Sequence, residues 1–249
     1  MWADAKAQAQ AEHDAWPCAW LTGNPNYPLA AARGAASGRF LVSDPLKTSV
    51  STSNAWIGLT DPSADWQFDS GHYEYWVRAA ADGSFMIANA RPGTYTLHAF
   101  TDGEMGEFAL GNVVVTAGVT NALGDQTWSV PRTGTFLAWE VGVPNRTASE
   151  YRHGSSNYYE GFIWDTFAGE FSNPLEYNIG ASDWTTDLNY THCYYKVNGV
   201  RNQWKWRLNF LMASVPASGS ATLNIAFASS NGGNSQSGAP MNLYVNNES

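Results

Sequence analysis

Apolar and polar positions alternate with a period of two through most of the chain, the signature of strands with one buried face. Between residues 31 and 130 this alternation falls into seven short runs: Gly38 to Val42, Ala55 to Leu59, Tyr73 to Val77, Phe85 with Ile87, Tyr95 with Leu97 and Ala99, Val113 with Val115, and Thr127 to Ser129. Turn signals separate them. Arg91-Pro92-Gly93 reads as a type II turn, and Asp102-Gly103 and Ala117-Gly118 mark further breaks. Seven short strands at regular spacing predict an immunoglobulin-like sandwich over 31–130. His98 falls on the face opposite Leu97 and is expected at the surface. Ahead of the sandwich, residues 2–15 lack Gly and Pro and are rich in Ala and Gln, which favours a helix with no strong amphipathic face. Trp16-Pro17 ends that helix. Gly23, Pro25 and Pro28 make the remainder of 1–30 a linker.

From residue 131 the pattern is longer and looser. A strand is expected over 134–141, with Phe136, Ala138 and Glu140 on one side and Leu137, Trp139 and Val141 on the other. It turns through Gly142 and Pro144 into a polar run holding a buried Arg146. Lys196 to Arg201 reads as a hairpin, because Asn198-Gly199 suits a two-residue turn. Trp204, Trp206, Leu208 and Phe210 alternate with Lys205, Arg207 and Asn209, so the first set is assigned to the core and the basic residues to the outside. Leu223, Ile225 and Phe227 predict another strand, and Leu243 with Val245 a last one. The whole is an all-β chain in which 131–249 forms a galactose-binding-like jelly roll. Fewer than its usual eight strands are legible, so this second domain is expected to be incomplete at its C-terminus.

Composition narrows the function. Charged residues are only 14% of the 249, against about 25% in ordinary domains. Aromatic, amide and small hydroxyl residues fill the gap, as suits an extracellular sugar-recognising protein. A net charge of −9 argues against nucleic acid and anionic membrane partners. It equally removes long-range attraction for an acidic polysaccharide, so local basic groups must carry any such binding. Lys196, Arg201, Lys205 and Arg207 are those groups, and the aromatic loop of Tyr158, Tyr159 and Trp164 is the alternative contact. No apolar run is long enough for a membrane span. Asn145, Asn189 and Asn247 stand in glycosylation sequons. They point to secretion, with a signal peptide expected upstream of Met1. Cys18 and Cys193 are either a disulfide or two separate buried thiols.

Candidate chemistry is sparse. The histidines show no HxH or HExxH spacing, and no nucleophile elbow, P-loop or dinucleotide fingerprint occurs. No cofactor is expected apart from a structural Ca²⁺, for which Asp183 and Asp187 are the candidates; the alternative is that both are solvated or cap a turn. Glu140 and Arg146 either touch ligand or form a structural ion pair.

The run Trp139-Glu140-Val141-Gly142-Val143-Pro144-Asn145-Arg146-Thr147-Ala148-Ser149-Glu150-Tyr151 resembles the W-E-I-G-V-P-D-R-T-A-x-E-F phrase that opens the last domain of rhamnogalacturonan lyases of polysaccharide lyase family 4. Asn145 stands where that family usually has Asp. Asp82 to Ile87 and Arg91 to Leu97 resemble the family's fibronectin type III-like middle domain. Tyr177 to Gly180 and Ser182 to Trp184 resemble a landmark of its carbohydrate-binding-like third domain. The helix followed by Trp16-Pro17-Cys18-Ala19-Trp20 looks like the connector leaving its catalytic domain. The resemblance implies a role in cleaving rhamnogalacturonan by β-elimination, in which a base removes the galacturonate C5 proton. The family's Lys and His for that step lie in an N-terminal β-sandwich expected upstream of Met1, so no catalytic position is carried onto this chain. Three readings follow: the accessory portion of such a lyase, a stand-alone carbohydrate-binding protein, or a structural spacer.

Overall fold

The computed structural model describes residues 1–63, 66, 73–154, 170–190, 195–212, 214, 218–227 and 242–246. The chain divides into two compact units, Met1–Arg132 and Thr133–Ser249.

The first unit opens with helix α1 (Trp2–Asp14), none of whose side chains is buried. Its support is local: Gln8 donates to Glu12 at 2.9 Å and Gln10 to Asp14 at 2.8 Å, both one turn apart on the same face. The segment after it is fastened down rather than a free linker. The buried Arg33 guanidinium lies between the rings of Trp16 and Tyr27, 4.7 and 5.2 Å from their centroids. It donates to the carbonyls of Pro28 (2.7 Å) and Asn89 (3.1 Å), which ties residues 16–28 to the sandwich.

Seven strands follow: β1 (Gly34–Ser43), β2 (Trp56–Thr60), β3 (Glu74–Arg78), β4 (Ser84–Ala90), β5 (Gly93–Phe100), β6 (Phe108–Val115) and β7 (Thr120–Ser129). They form two sheets, β4-β1-β7 and β3-β2-β5-β6. Only the β1–β7 pair is parallel, running from Ala35↔Thr120 to Ser43↔Ser129. Phe40 and Ile87 from one sheet meet Ile57, Leu59, Tyr95, Leu97, Val113 and Val115 from the other, with Trp128 completing the core. The alternation of Tyr95, Leu97 and Ala99 thus does what their spacing predicts. The Tyr95 hydroxyl, which burial makes harder to ionise, donates to the Arg91 carbonyl at 2.9 Å.

Two local readings are corrected. Gly93 is not at a left-handed position; it starts β5 opposite Val115, and the left-handed residue of that corner is Asn89 (φ 57°). The chain bends at Pro92, but without a left-handed Gly93 the expected type II turn does not form. His98 is buried, because the outer face of its sheet is roofed by aromatics. The Trp66 ring sits 5.8 Å from the imidazole and 4.8 Å from Trp76, and Trp76 lies flat over Gly58, where any Cβ would overlap its ring.

The second unit has a smaller core of Leu175, Tyr177, Leu188 and Trp204. Strands β8 (Leu175–Asn178) and β11 (Trp206–Asn209) pair in parallel, and β9 (Tyr195–Val197) with β10 (Val200–Asn202) form the expected hairpin. Both turn residues are left-handed, Asn198 at φ 49° and Gly199 at φ 79°, as a type I′ turn requires. A short helix, α2 (Trp184–Asp187), lies between β8 and β9.

Several expected strands are absent among the described residues. Residues 134–141 are irregular, with Phe136 62% exposed. Leu223, Ile225 and Phe227 are exposed and outside any strand, as are Leu243 and Val245. Alternation supplies a face, but a strand also needs a neighbour to satisfy its N–H and C=O groups. The described strands of this unit make two two-stranded sheets, in keeping with an all-β chain. Trp204, just before β11, and Trp206 at its start reach the core, while Leu208 and Phe210 are exposed, contrary to the alternation. No helix among the described residues is long and apolar enough to cross a membrane.

Candidate functional site

The run from Trp139 to His153 folds as a compact knot. Gly142 is left-handed (φ 74°), and a Cβ there would overlap the Tyr151 hydroxyl, so only glycine fits under that ring. Asn145 accepts from the Thr147 N–H at 3.0 Å and donates through Nδ2 to Glu150 Oε1 at 2.8 Å; the Thr147 hydroxyl reaches Glu150 Oε2 at 3.2 Å. Tyr151 then packs edge-on against Trp184 at 5.4 Å. The next residue is pinned on both sides, since the Arg152 N–H donates to the Leu188 carbonyl and its own carbonyl accepts from Tyr190. Arg146, expected to be buried, is exposed.

This knot delivers Arg152 and His153 to Glu170. Arg152 Nη2 lies 2.7 Å and His153 Nε2 2.8 Å from the same oxygen, Glu170 Oε2. The hydrogen bond from His153, with the Arg152 guanidinium beside it, holds the Glu170 carboxyl below the usual glutamate range against the opposing effect of burial. The Arg152 guanidinium lies over Phe171, 5.1 Å from its centroid, and Phe171 packs on buried Trp204. His153 holds a left-handed backbone (φ 62°), uncommon for a non-glycine residue and a pointer to a constrained site. An open groove of about 340 Å³ runs past these residues, lined by Arg152, Glu170 and Leu175 and by a lip of Ser182, Thr186 and Asp187.

Helix α2 shapes that lip. Asp183 caps it, accepting from Thr185 N–H at 2.9 Å and Thr185 Oγ1 at 2.7 Å, while Asp187 accepts from the Asp183 N–H at 2.8 Å. These carboxylates form a reciprocal cap, not a calcium cradle, and those bonds hold Asp183 below the usual aspartate range. Among the described residues no group of three or more His, Cys, Asp or Glu is placed to hold a metal ion.

The basic residues singled out in the sequence fall on and beside two separate strand pairs. Lys196 and Arg201 face each other in register on the β9–β10 hairpin, and only their backbone is described. Arg207 belongs to the other strand pair, and Lys205 directly precedes its strand. Arg207 is outside, as its alternation requires, but it is paired: Nη1 lies 2.5 Å from Glu176 Oε1 on β8, and Asn209 holds the other oxygen at 2.9 Å. Lys205 is exposed. Tyr158, Tyr159, Trp164, Cys193 and Asn247 lie outside the described residues, and Cys18 is a free thiol. Of the sequon asparagines, Asn145 has its amide engaged as described, and Asn189 is only 1% exposed, so a glycan there does not fit the folded unit. Arg152, His153 and Glu170 were not foreseen. The one available signal was an Arg-His pair directly following the Trp139–Tyr151 run.

Residues 47–123 match the family model "Polysaccharide lyase family 4, domain II", and residues 137–249 match "Polysaccharide lyase family 4, domain III", a carbohydrate-binding-module-like model. A fibronectin-like sandwich followed by such a unit is the class of ancillary β domains found in polysaccharide-active proteins. The chain belongs to polysaccharide lyase family 4 and carries that family's domains II and III. Among similar proteins, a probable rhamnogalacturonate lyase B of Aspergillus fumigatus is 26% identical across 88% of this chain and 36% of its own length. The Aspergillus niger protein of that name is 30% identical across 50% of this chain and 19% of its own. Rhamnogalacturonate lyase B of Emericella nidulans is 27% identical across 63% and 26%. The chain therefore spans about a third or less of these relatives. A cohesin–X-dockerin complex from Acetivibrio cellulolyticus aligns over 37% of this chain and 52% of its own at TM-score 0.26 and 16% identity, too distant to bear on function.

Proposed function

We propose that this chain is the accessory portion of a rhamnogalacturonan-cleaving lyase, with a structural sandwich over 31–130 and a polysaccharide-binding domain over 131–249. The observation that carries this is the match of two successive family domains, in family order, along most of the chain. Cleavage by β-elimination needs a base to take the C5 proton and a cation to neutralise the uronate. In this reading both are supplied by a catalytic domain of the parent protein, and the two domains here hold that domain to its polymer outside the cell. Within the second domain, Lys205 and the hairpin bearing Lys196 and Arg201 are the candidate contacts for galacturonate carboxylates. Arg207, shared with Glu176, contributes less.

Native affinity electrophoresis with rhamnogalacturonan in the gel tests the reading. The chain should be retarded, while generating no ultraviolet absorbance from unsaturated uronate ends. Mobility unaffected by the polymer sinks the binding role, and elimination by the pure chain sinks the assignment of chemistry to another domain.

A further inference from the structure

The groove beside Arg152 has a chemistry unlike the basic surface that a uronate polymer calls for. Three carboxylates line it, Glu170, Glu176 and Asp187, against the single guanidinium of Arg152, a formal excess of two negative charges. Arg207 pairs with Glu176 and leaves the balance negative. The protein as a whole stands at −9. A second carboxylate entering this groove meets like charge at short range, which raises its cost.

The hydrogen-bonding groups point the same way. Glu170 uses Oε2 for both Arg152 and His153, and among the described residues its Oε1 has no partner. Arg152 uses Nη2 on Glu170, and among the described residues its other guanidinium N–H groups have none. A donor and an acceptor thus stand side by side. In the same groove the Ser182 hydroxyl accepts from the Asn178 N–H at 3.0 Å and keeps its own proton to donate. Neighbouring hydroxyls on a sugar ring are both donors and acceptors and satisfy such an alternating set. An ionised carboxylate only accepts and leaves Glu170 Oε1 unmatched. The guanidinium is held in place by Phe171 and the carboxylate by His153, so little side-chain freedom is lost on binding.

We propose that this groove is a subsite for a neutral sugar residue, the rhamnosyl rather than the galacturonosyl unit of the polymer. The proposal rests on the polysaccharide-binding reading above and specifies which unit the second domain grips at this point. The fixed Arg152–Glu170 pair spans adjacent hydroxyls, and the acidic lip turns the uronate units outward.

Ligand-observed NMR titration of the full chain with methyl rhamnoside and methyl galacturonoside, beside electrophoresis in rhamnogalacturonan, tests it. Methyl rhamnoside should bind, with little change up to about 1 M salt, where charge interactions are screened within ~3 Å. Glu170→Gln should weaken it about tenfold, the worth of one hydrogen bond to a charged group. Thr186→Lys places a cation on the exposed lip without touching the core, so it keeps the test valid if Glu170→Gln disturbs folding. It should shift preference toward methyl galacturonoside and leave the salt-insensitive binding of methyl rhamnoside little changed. Preference of the unaltered chain for methyl galacturonoside, methyl rhamnoside binding indifferent to Glu170→Gln, or no shift of preference in Thr186→Lys overturns the inference while retardation by rhamnogalacturonan leaves the accessory reading standing. Absence of retardation overturns both.

Discussion

Arg132 closes a buried charge cluster at the end of the first unit, and removing it is the sharpest test of how that unit is held. Its guanidinium lies 2.5 Å from Asp44 Oδ2 and 2.9 Å from Glu104 Oε2, and Lys47 Nζ reaches Glu104 Oε1 at 3.0 Å. The Asp44 and Glu104 side chains are 0% and 1% exposed. Arg132→Met keeps most of the apolar stem and deletes one of two cations facing two buried carboxylates. Removing one partner of a buried pair costs about 3–5 kcal/mol, because the stranded charge stays desolvated. On a urea slope of about 2 kcal/mol/M this lowers the first unit's midpoint by roughly 1.5–2.5 M. Tryptophan fluorescence follows it through buried Trp128, and a second unit whose transition stays in place serves as internal control.

The acid side supplies a sign. Burial pushes the Asp44 carboxyl up, but the Arg132 hydrogen bond, the Leu46 N–H and the charges of Arg132 and Lys47 outweigh it, leaving the group below the usual aspartate range. Its contribution is present above the unfolded value near ~3.9 and is lost as pH falls through the lower folded value. For Glu104 burial wins over Lys47 and Arg132 and the carboxyl is raised. Its contribution is present below the unfolded value near ~4.3 and is lost as pH rises through the folded one. Without Arg132 both carboxyls rise, so the deficit of the variant should be largest at neutral pH and shrink toward pH ~4 as they protonate. A deficit under about 1 kcal/mol at pH 7, the size of an exposed pair, or one that does not shrink in acid, refutes the reasoning.

Other outcomes follow from the same contacts. Leu97→Ala, at a core position 1% exposed, should destabilise the first unit by about 2–5 kcal/mol in the urea transition and leave the second unaffected. Gly142→Ala should cost the second unit about 1–3 kcal/mol through its left-handed backbone alone, with the Tyr151 overlap adding to it. Tyr151→Phe should recover part of that loss in the double variant. Lys205→Ala with Arg207→Ala should weaken rhamnogalacturonan retardation by less than about tenfold and flatten its salt dependence, since Arg207 already shares its charge with Glu176. Unchanged retardation at low salt would remove those two residues from the binding surface.

The first unit was legible almost strand for strand. Each of its strands alternates and has a partner that alternates too, so face and neighbour agree, as with Ile57 opposite Ala99 and Leu59 opposite Leu97. His98 escaped because its cover, Trp66, comes from a stretch with no period to read. In the second unit the run over 134–141 carries apolar side chains on both of its faces, yet among the described residues it forms no strand. Periodicity reports which side chains prefer water and is silent on whether a hydrogen-bonding neighbour exists.

The same limit applies to the candidate contacts. Arg207 was rightly placed outside, but exposure is not availability: parallel pairing sets Glu176, 31 residues earlier, directly opposite it. The Trp139–Tyr151 run, the strongest family signal, spends Gly142, Asn145, Thr147 and Glu150 on one another and on Tyr151. Its work is geometric: it turns the backbone through left-handed Gly142 and Arg146 so that the two residues after it arrive at Glu170. A run recognisable for its difficult backbone therefore marks where a site is built. The groups that meet a ligand stand just past its end, where an Arg-His pair means little until the fold brings a carboxylate from seventeen residues downstream.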